Sequence, residues 1–286
     1  MLDLKEDVIE RSSWRLPNFF VIGAMRSGTT ALARGLEIHP EVLLSSRKET
    51  HFFDRNYERG LDWYLRFFEE ARDHKAVGEA TPSYMYDRNA MALMAKMLPD
   101  ARLLAILRNP VDRAYSHFWH EKNLAREPLG FAEAIDRESE RINRGNPAER
   151  SRFAYLGRGH YLEQLEYVCR FYAREQLHMI IFERFRADPH ATFCRIWEFL
   201  EVDTDFDDPR LAMPRGTNRV RRSRTLHRLG TRLPKPLRER IQRINTTRPV
   251  YPPMPEGVRA ELVDAFRPHN KAFEQWMGEP IPEWDE

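Results

Sequence analysis

Only two cysteines, Cys169 and Cys194, occur in 286 residues, and they do not form a C-x-x-C pair, so neither a disulfide framework nor a zinc-ligand pattern is indicated. Two buried thiols in a reducing compartment are the expectation. Long apolar runs are also missing: none approaches the roughly 18 residues that a membrane span needs. The first residues, Met1 to Arg11, are charged and lack the basic-then-apolar order of a secretory signal. The expectation is therefore a cytoplasmic protein without a membrane span, or else the soluble catalytic part of a longer, anchored one. An excess of one charge is lacking as well, the formal net charge being +2. Nothing here suggests a nucleic-acid partner, although the charge is unevenly spread. Between Arg215 and Arg248 stand twelve Arg and Lys against the single acid Glu239. Such a block is either a solvated face or an anion-binding surface.

What is present is a globular composition, 42% hydrophobic and 31% charged, enough to bury a sizeable core. The length fits one large domain, read as residues 17–286 after an N-terminal extension of 1–16. Asn18 to Gly23 is a short apolar run of the kind buried on both faces of a sheet, and a helical pattern follows over Ser27 to Ile38 until Pro40. Ala76 to Glu79 and Arg102 to Arg108 read as further buried strands, with a helix through Met91 and Met97 between them. Asn109 and Pro110 supply an N-cap and first-turn proline for a helix to about Leu124. His160 to Ala173 reads as a helix, Leu177 to Phe182 as a strand, Pro189 to Leu200 as a helix, and a last helix is expected around Val258 to Phe266. Alternating strands and helices predict an α/β fold: a mainly parallel central sheet flanked by helices on both faces, with its ligand crevice beyond the strand carboxyl ends.

The segment Gly23-Ala24-Met25-Arg26-Ser27-Gly28-Thr29-Thr30 lies between the first strand and the first helix, where backbone N–H groups and the helix dipole favour a phosphate. A nucleotide-triphosphatase loop carries Gly-Lys-Ser/Thr at its end. Here Thr29 stands in the lysine position, and the cation is Arg26 inside the loop. That demotes a kinase or hydrolase without removing it.

Phe19 to Leu36 resembles the phosphosulfate-binding segment of PAPS-dependent sulfotransferases, in the branch of the heparan sulfate enzymes and their bacterial relatives. Three further segments carry the same resemblance in order: Lys48-Glu49-Thr50-His51-Phe52-Phe53-Asp54, the Gly78 to Tyr84 loop, and Leu107 to Phe118. The resemblance implies the P-loop-like sulfotransferase fold and sulfuryl transfer from PAPS to a hydroxyl or amine acceptor. A saccharide acceptor is favoured, with a lipid or natural product as alternatives. The resemblance assigns Arg26, Ser27, Gly28, Thr29 and Thr30 to the 5′-phosphosulfate, Arg108 and Ser116 to the 3′-phosphate, and Arg221 and Arg222 of the basic loop Arg215 to Arg224 to the same phosphate, the alternative being that one or more of the loop's arginines bind an acidic acceptor. Glu49 matches the family's glutamate base. His51 would share its side of an extended stretch and either orient that base or replace it. Lys48 reads as a solvated lysine. Ala80 departs from the heparan sulfate enzymes, which carry lysine there. No metal is expected, because the pair His117 and His120 lacks a third ligand in any known order. The competing readings are a P-loop nucleotide kinase or hydrolase and a nucleotide-binding protein without catalysis.

Overall fold

The computed structural model describes residues 15–212, 220–221, 237, 246–247 and 251–285. The run Phe19–Gly23 forms strand β1, fully buried because side chains on both faces meet helices. It sits in the middle of a five-stranded sheet of order β2-β3-β1-β4-β5, with β2 at Val42–Leu44, β3 at Ala76–Ala80, β4 at Arg102–Leu107 and β5 at Leu177–Ile181. Each neighbouring pair is parallel. The alternation along β1 sorts the core into two layers. Phe20 and Ile22 pack with Tyr64, Met91 and Leu165 on one face. Phe19 and Val21 pack with Leu32, Leu36, Phe193 and Trp197 on the other.

The strand order places the site. From β1 the chain runs outward to β2, returns through β3 beside β1, and then crosses to β4 on its far side. Loops leaving β1, β3 and β4 therefore converge over the carboxyl end of β1, the switch point at which open α/β sheets bind ligands. Helix α1, Thr29–Leu36, follows β1 directly. Asp87 caps α3, Arg88–Met97, which follows α2 at Leu61–Leu65. Asn109 accepts from the Val111 and Asp112 N–H groups and so starts α4, Pro110–Asn123, immediately after β4. Three short helices follow, α5 to α7, at Phe131–Asp136, Glu138–Arg144 and Pro147–Phe153. Helices α8, Tyr161–Val168, α9, Phe182–Ala187, and α10, Pro189–Leu200, precede the long α11, Glu256–Met277.

Several expectations change. The last helix extends eleven residues beyond Phe266, because Pro268 is accommodated inside α11. The expected helix from His160 is regular only to Val168. Both cysteines are unpaired but only partly buried. No helix among the described residues is long and apolar enough to cross a membrane.

Gly35 lets α1 lie directly against the Phe193 ring of α10. A Cβ there would stand 1.9 Å from the ring of Phe193, which is fully buried against Phe185 and Trp197. Alanine in a helix interior ordinarily gains about 0.5–1 kcal/mol over glycine. Here the overlap outweighs that gain, so Gly35→Ala should lose about 1–3 kcal/mol of stability, read by denaturant unfolding.

Candidate functional site

The loop after β1 is built around backbone geometry. Gly28 caps α1 at φ 98°, and a Cβ there would strike the Phe182 ring at 2.6 Å. It offers no side-chain cap, so the first-turn N–H groups of α1 face the crevice with the positive end of the helix dipole. Arg26 takes a left-handed conformation, φ 73°, which turns its side chain across the crevice to donate from Nε to Ser116 Oγ on α4 at 3.2 Å. Burial lowers the Arg26 pKa, opposed by Tyr251 and reinforced by the neighbouring charge of Arg108. Arg108 leaves β4, stacks its guanidinium 5.2 Å over Phe182, and reaches Asp112 at only 3.5 Å.

Two polar atoms in this region fit an anion. Among the described residues, the buried Ser27 hydroxyl lies near the Tyr161 phenol but makes no hydrogen bond of normal geometry, and the buried Arg108 Nε finds no partner. Buried donors left this way are costly unless a ligand uses them. A loop of N–H groups, two guanidiniums and unspent donors suits a phosphate-bearing group.

Opposite this loop, the chain after β2 carries a line of charges. Lys48 Nζ donates to Thr30 Oγ1 at 3.0 Å and to Glu49 Oε1 at 2.9 Å. His51 Nε2 lies 3.6 Å from Glu49 Oε2, and its Nδ1 lies 3.0 Å from Asp54 Oδ2, which also accepts from Ser83 Oγ at 2.7 Å. Burial works against the ionised form of Glu49, but the His51 contact and the Lys48 charge outweigh it and bring its pKa to about 2. Burial likewise opposes charge on His51, yet Asp54 and Glu49 raise its pKa to about 9. Near neutral pH the line is carboxylate, imidazolium, carboxylate, ammonium. His120, on α4 above Arg26, is different: burial and then the Arg26 and Arg126 charges take its pKa down to about 4, leaving a neutral ring.

The sulfotransferase domain family matches residues 16–215. The chain belongs to this family. It is 28% identical over 283 residues to human heparan sulfate glucosamine 3-O-sulfotransferase 6, covering 93% of this chain and 73% of that protein. It is also 28% identical over 294 residues to the human bifunctional heparan sulfate N-deacetylase/N-sulfotransferase 3, covering 96% of this chain but only 32% of that much longer protein. The crystal structure of a sulfotransferase from Alicyclobacillus acidocaldarius superposes with a TM-score of 0.72 at 29% identity, covering 95% of this chain and 100% of the other. The five-stranded parallel sheet is thus the P-loop-like sulfotransferase fold, and the chain is a sulfotransferase. Sulfuryl transfer from PAPS is the chemistry of that family.

Within this sulfotransferase the residues singled out from sequence fall into one crevice: Arg26 to Thr30, Arg108 and Ser116 on one wall, Glu49 and His51 on the other. Arg221 pairs with Thr246 in a two-residue ladder, and Arg222 lies outside the described residues. Two expectations need correction. Lys48 is not simply a solvated lysine: it is only about a third exposed and bridges the loop after β1, at Thr30, to Glu49. His51 does not stand on an extended stretch; it adopts φ 53°, ψ 36° and caps a π-turn over Phe52–Asn56, and that turn is what brings it back toward Glu49. Asp54 receives no role from the sequence, although it closes the segment Lys48 to Asp54 and stands three residues after His51.

His117 is fully buried against Tyr155. Among the described residues, His160, Glu163 and His269 form a group of potential metal ligands. The His160 and His269 rings stack with planes 13° apart, so their in-plane lone pairs run side by side instead of converging on one ion.

Proposed function

We propose that residues 17–286 form one catalytic domain that transfers a sulfuryl group from PAPS to a saccharide hydroxyl or amine, with Glu49 as the general base. The observation that carries this reading is the continuous line Thr30, Lys48, Glu49, His51, Asp54, which ties the candidate base to the phosphate loop. The names of the relatives, a heparan sulfate glucosamine 3-O-sulfotransferase and a heparan sulfate N-deacetylase/N-sulfotransferase, favour the saccharide.

PAPS supplies the sulfuryl group and a leaving phosphate. A bond forms from acceptor oxygen or nitrogen to sulfur, the bond from sulfur to the bridging oxygen breaks, and the acceptor proton passes to a Glu49 carboxylate oxygen. In this reading Arg26 neutralises the charge that grows on the leaving group. His51 is an imidazolium near pH 7 and has no lone pair to accept a proton, so its work there is to aim Glu49. Lys48 suppresses the basicity of Glu49 while it is bonded to it. An anion at Thr30 competes for the same ammonium, and Glu49 becomes a better base as Lys48 turns away.

Arg108 and Ser116 are read as the 3′-phosphate contacts. Adenosine 3′,5′-diphosphate should bind at least tenfold more tightly than AMP in a calorimetric titration, the result of losing a charge-assisted contact worth roughly 1.5–3 kcal/mol. Equal affinities would sink the assignment.

A further inference from the structure

The crevice is shaped from beneath by a group that takes no part in the proton transfer. Glu79 lies near the end of β3 and is fully buried, as are Thr50 and Tyr84. Thr50 Oγ1 donates a short hydrogen bond to Glu79 Oε2 and lies 3.4 Å from the Tyr84 hydroxyl. The same Thr50 hydroxyl accepts from the Phe52 N–H at 3.2 Å, and the Tyr84 hydroxyl accepts from the Phe53 N–H at 3.3 Å. Tyr84, Thr50 and Glu79 are therefore a chain of donors ending on a carboxyl, and each hydroxyl also pins one backbone N–H of the turn that follows His51.

That turn has to be held. His51 occupies the left-handed region, which a residue with a Cβ adopts only where its surroundings over-determine it. Asn56 Nδ2 closes the other side by donating to the Thr50 and His51 carbonyls at 3.0 and 3.1 Å. A carboxyl is an expensive choice in this core when an apolar residue would fill the space. Burial, partly offset by the Thr50 and Tyr84 hydroxyls, raises its pKa to about 7. The return for that cost is the placement of His51.

We infer that Glu79 is a positioning residue for sulfuryl transfer: its buried carboxyl holds Thr50 and, with Tyr84, the left-handed turn that sets His51 between Glu49 and Asp54. The inference rests on the reading of Glu49 as the base. The charged groups around His51 are Glu49, Asp54 and Arg55, with Lys48 acting through Glu49.

The test compares Thr50→Val, which keeps the shape but not the hydroxyl, with Thr50→Ser, which keeps the hydroxyl. Three quantities are measured: turnover, affinity for adenosine 3′,5′-diphosphate, and the His51 titration by NMR in the free enzyme. Thr50→Val should lower kcat by tenfold or more, leave nucleotide affinity within about threefold, and move the His51 pKa from about 9 toward its ordinary 6.5. Thr50→Ser should behave as wild type. Glu79→Leu combined with Thr50→Val should cost no more than either alone, as members of one unit do. Met94→Ala, a cavity in the same core layer, controls for mere destabilisation and should leave both kcat and the His51 titration unchanged. An unmoved His51 titration and kcat in Thr50→Val, or equal losses in Met94→Ala, would overturn the inference. Glu49→Gln, assayed in parallel, separates the two ideas. If it retains turnover, the base assignment fails, whereas the His51 titration still reports whether Glu79 holds the turn.

Discussion

Glu49→Gln should reduce turnover by about 10²–10⁴ while changing donor affinity less than about threefold, since it keeps the side-chain shape and removes only the proton acceptor. The magnitude is the usual span of general-base catalysis. The direction also separates Glu49 from His51. Glu49 is one of two carboxylates that keep His51 protonated up to about pH 9. Its removal leaves Asp54 as the remaining partner and lowers the His51 pKa, which frees more neutral imidazole near pH 7. If His51 were the base, Glu49→Gln would work better at neutral pH, and wild-type activity would climb toward pH 9. If Glu49 is the base, the variant is slow and wild-type turnover is flat across neutrality, because a carboxyl with a pKa of about 2 is already ionised there. The same variant reports on the acceptor. An amine needs less help once it is unprotonated, so raising the pH should partly rescue Glu49→Gln with an amine acceptor. A hydroxyl, whose pKa is far above the assay range, should show little rescue. Near-wild-type turnover of Glu49→Gln at neutral pH would remove Glu49 from the mechanism.

The parts of this site that sequence could reveal are those in which the local pattern and the backbone agree. Strand β1, its glycine loop and α1 are contiguous, so the apolar run and the Ser-Gly-Thr-Thr signal identify them without tertiary information. Asn109 and Pro110 do the same for α4, and with it Ser116. What escaped depends on contacts between distant segments. Strand β2 has only three residues and too little length for a period, so its place at the sheet edge depends on pairing with β3. The short helices α5 to α7 lacked a long apolar stripe for the same reason. Lys48 looked solvated because Thr30, eighteen residues earlier, is invisible as its partner until the sheet brings the two loops together. His51 and Asp54 become neighbours through a π-turn and a positive φ at a non-glycine residue, a conformation that propensity argues against. Tertiary bonds from Glu79, Ser83 and Tyr84 override that preference.

Arg26→Ala should cost about 10²–10³ in kcat, the loss seen when a preorganised donor to developing negative charge is removed from a water-poor site. The side chain qualifies on three counts: it is anchored to Ser116 Oγ at 3.2 Å, it lies mostly buried, and its charge is set between Glu49 and Arg108 across the crevice. Arg26→Lys should recover part of the loss, because an ammonium restores the charge but cannot bond to Ser116 and a ligand oxygen with the same planar fork. Stability should move differently. At φ 73° any residue with a Cβ is strained, and glycine is not. Arg26→Gly should therefore be more stable than Arg26→Ala by about 1 kcal/mol in denaturant unfolding, after strain relief is set against the entropy glycine adds to the unfolded chain. The two variants should nevertheless be equally slow. A position where the residue that relaxes the backbone also stops turnover is one where an energetically poor conformation is retained for the cation it presents. If Arg26→Gly and Arg26→Ala were equally stable, the left-handed strain would be absent. If Arg26→Ala kept more than a tenth of wild-type kcat, the leaving-group charge would have to be met by Lys48 and the α1 N–H groups instead.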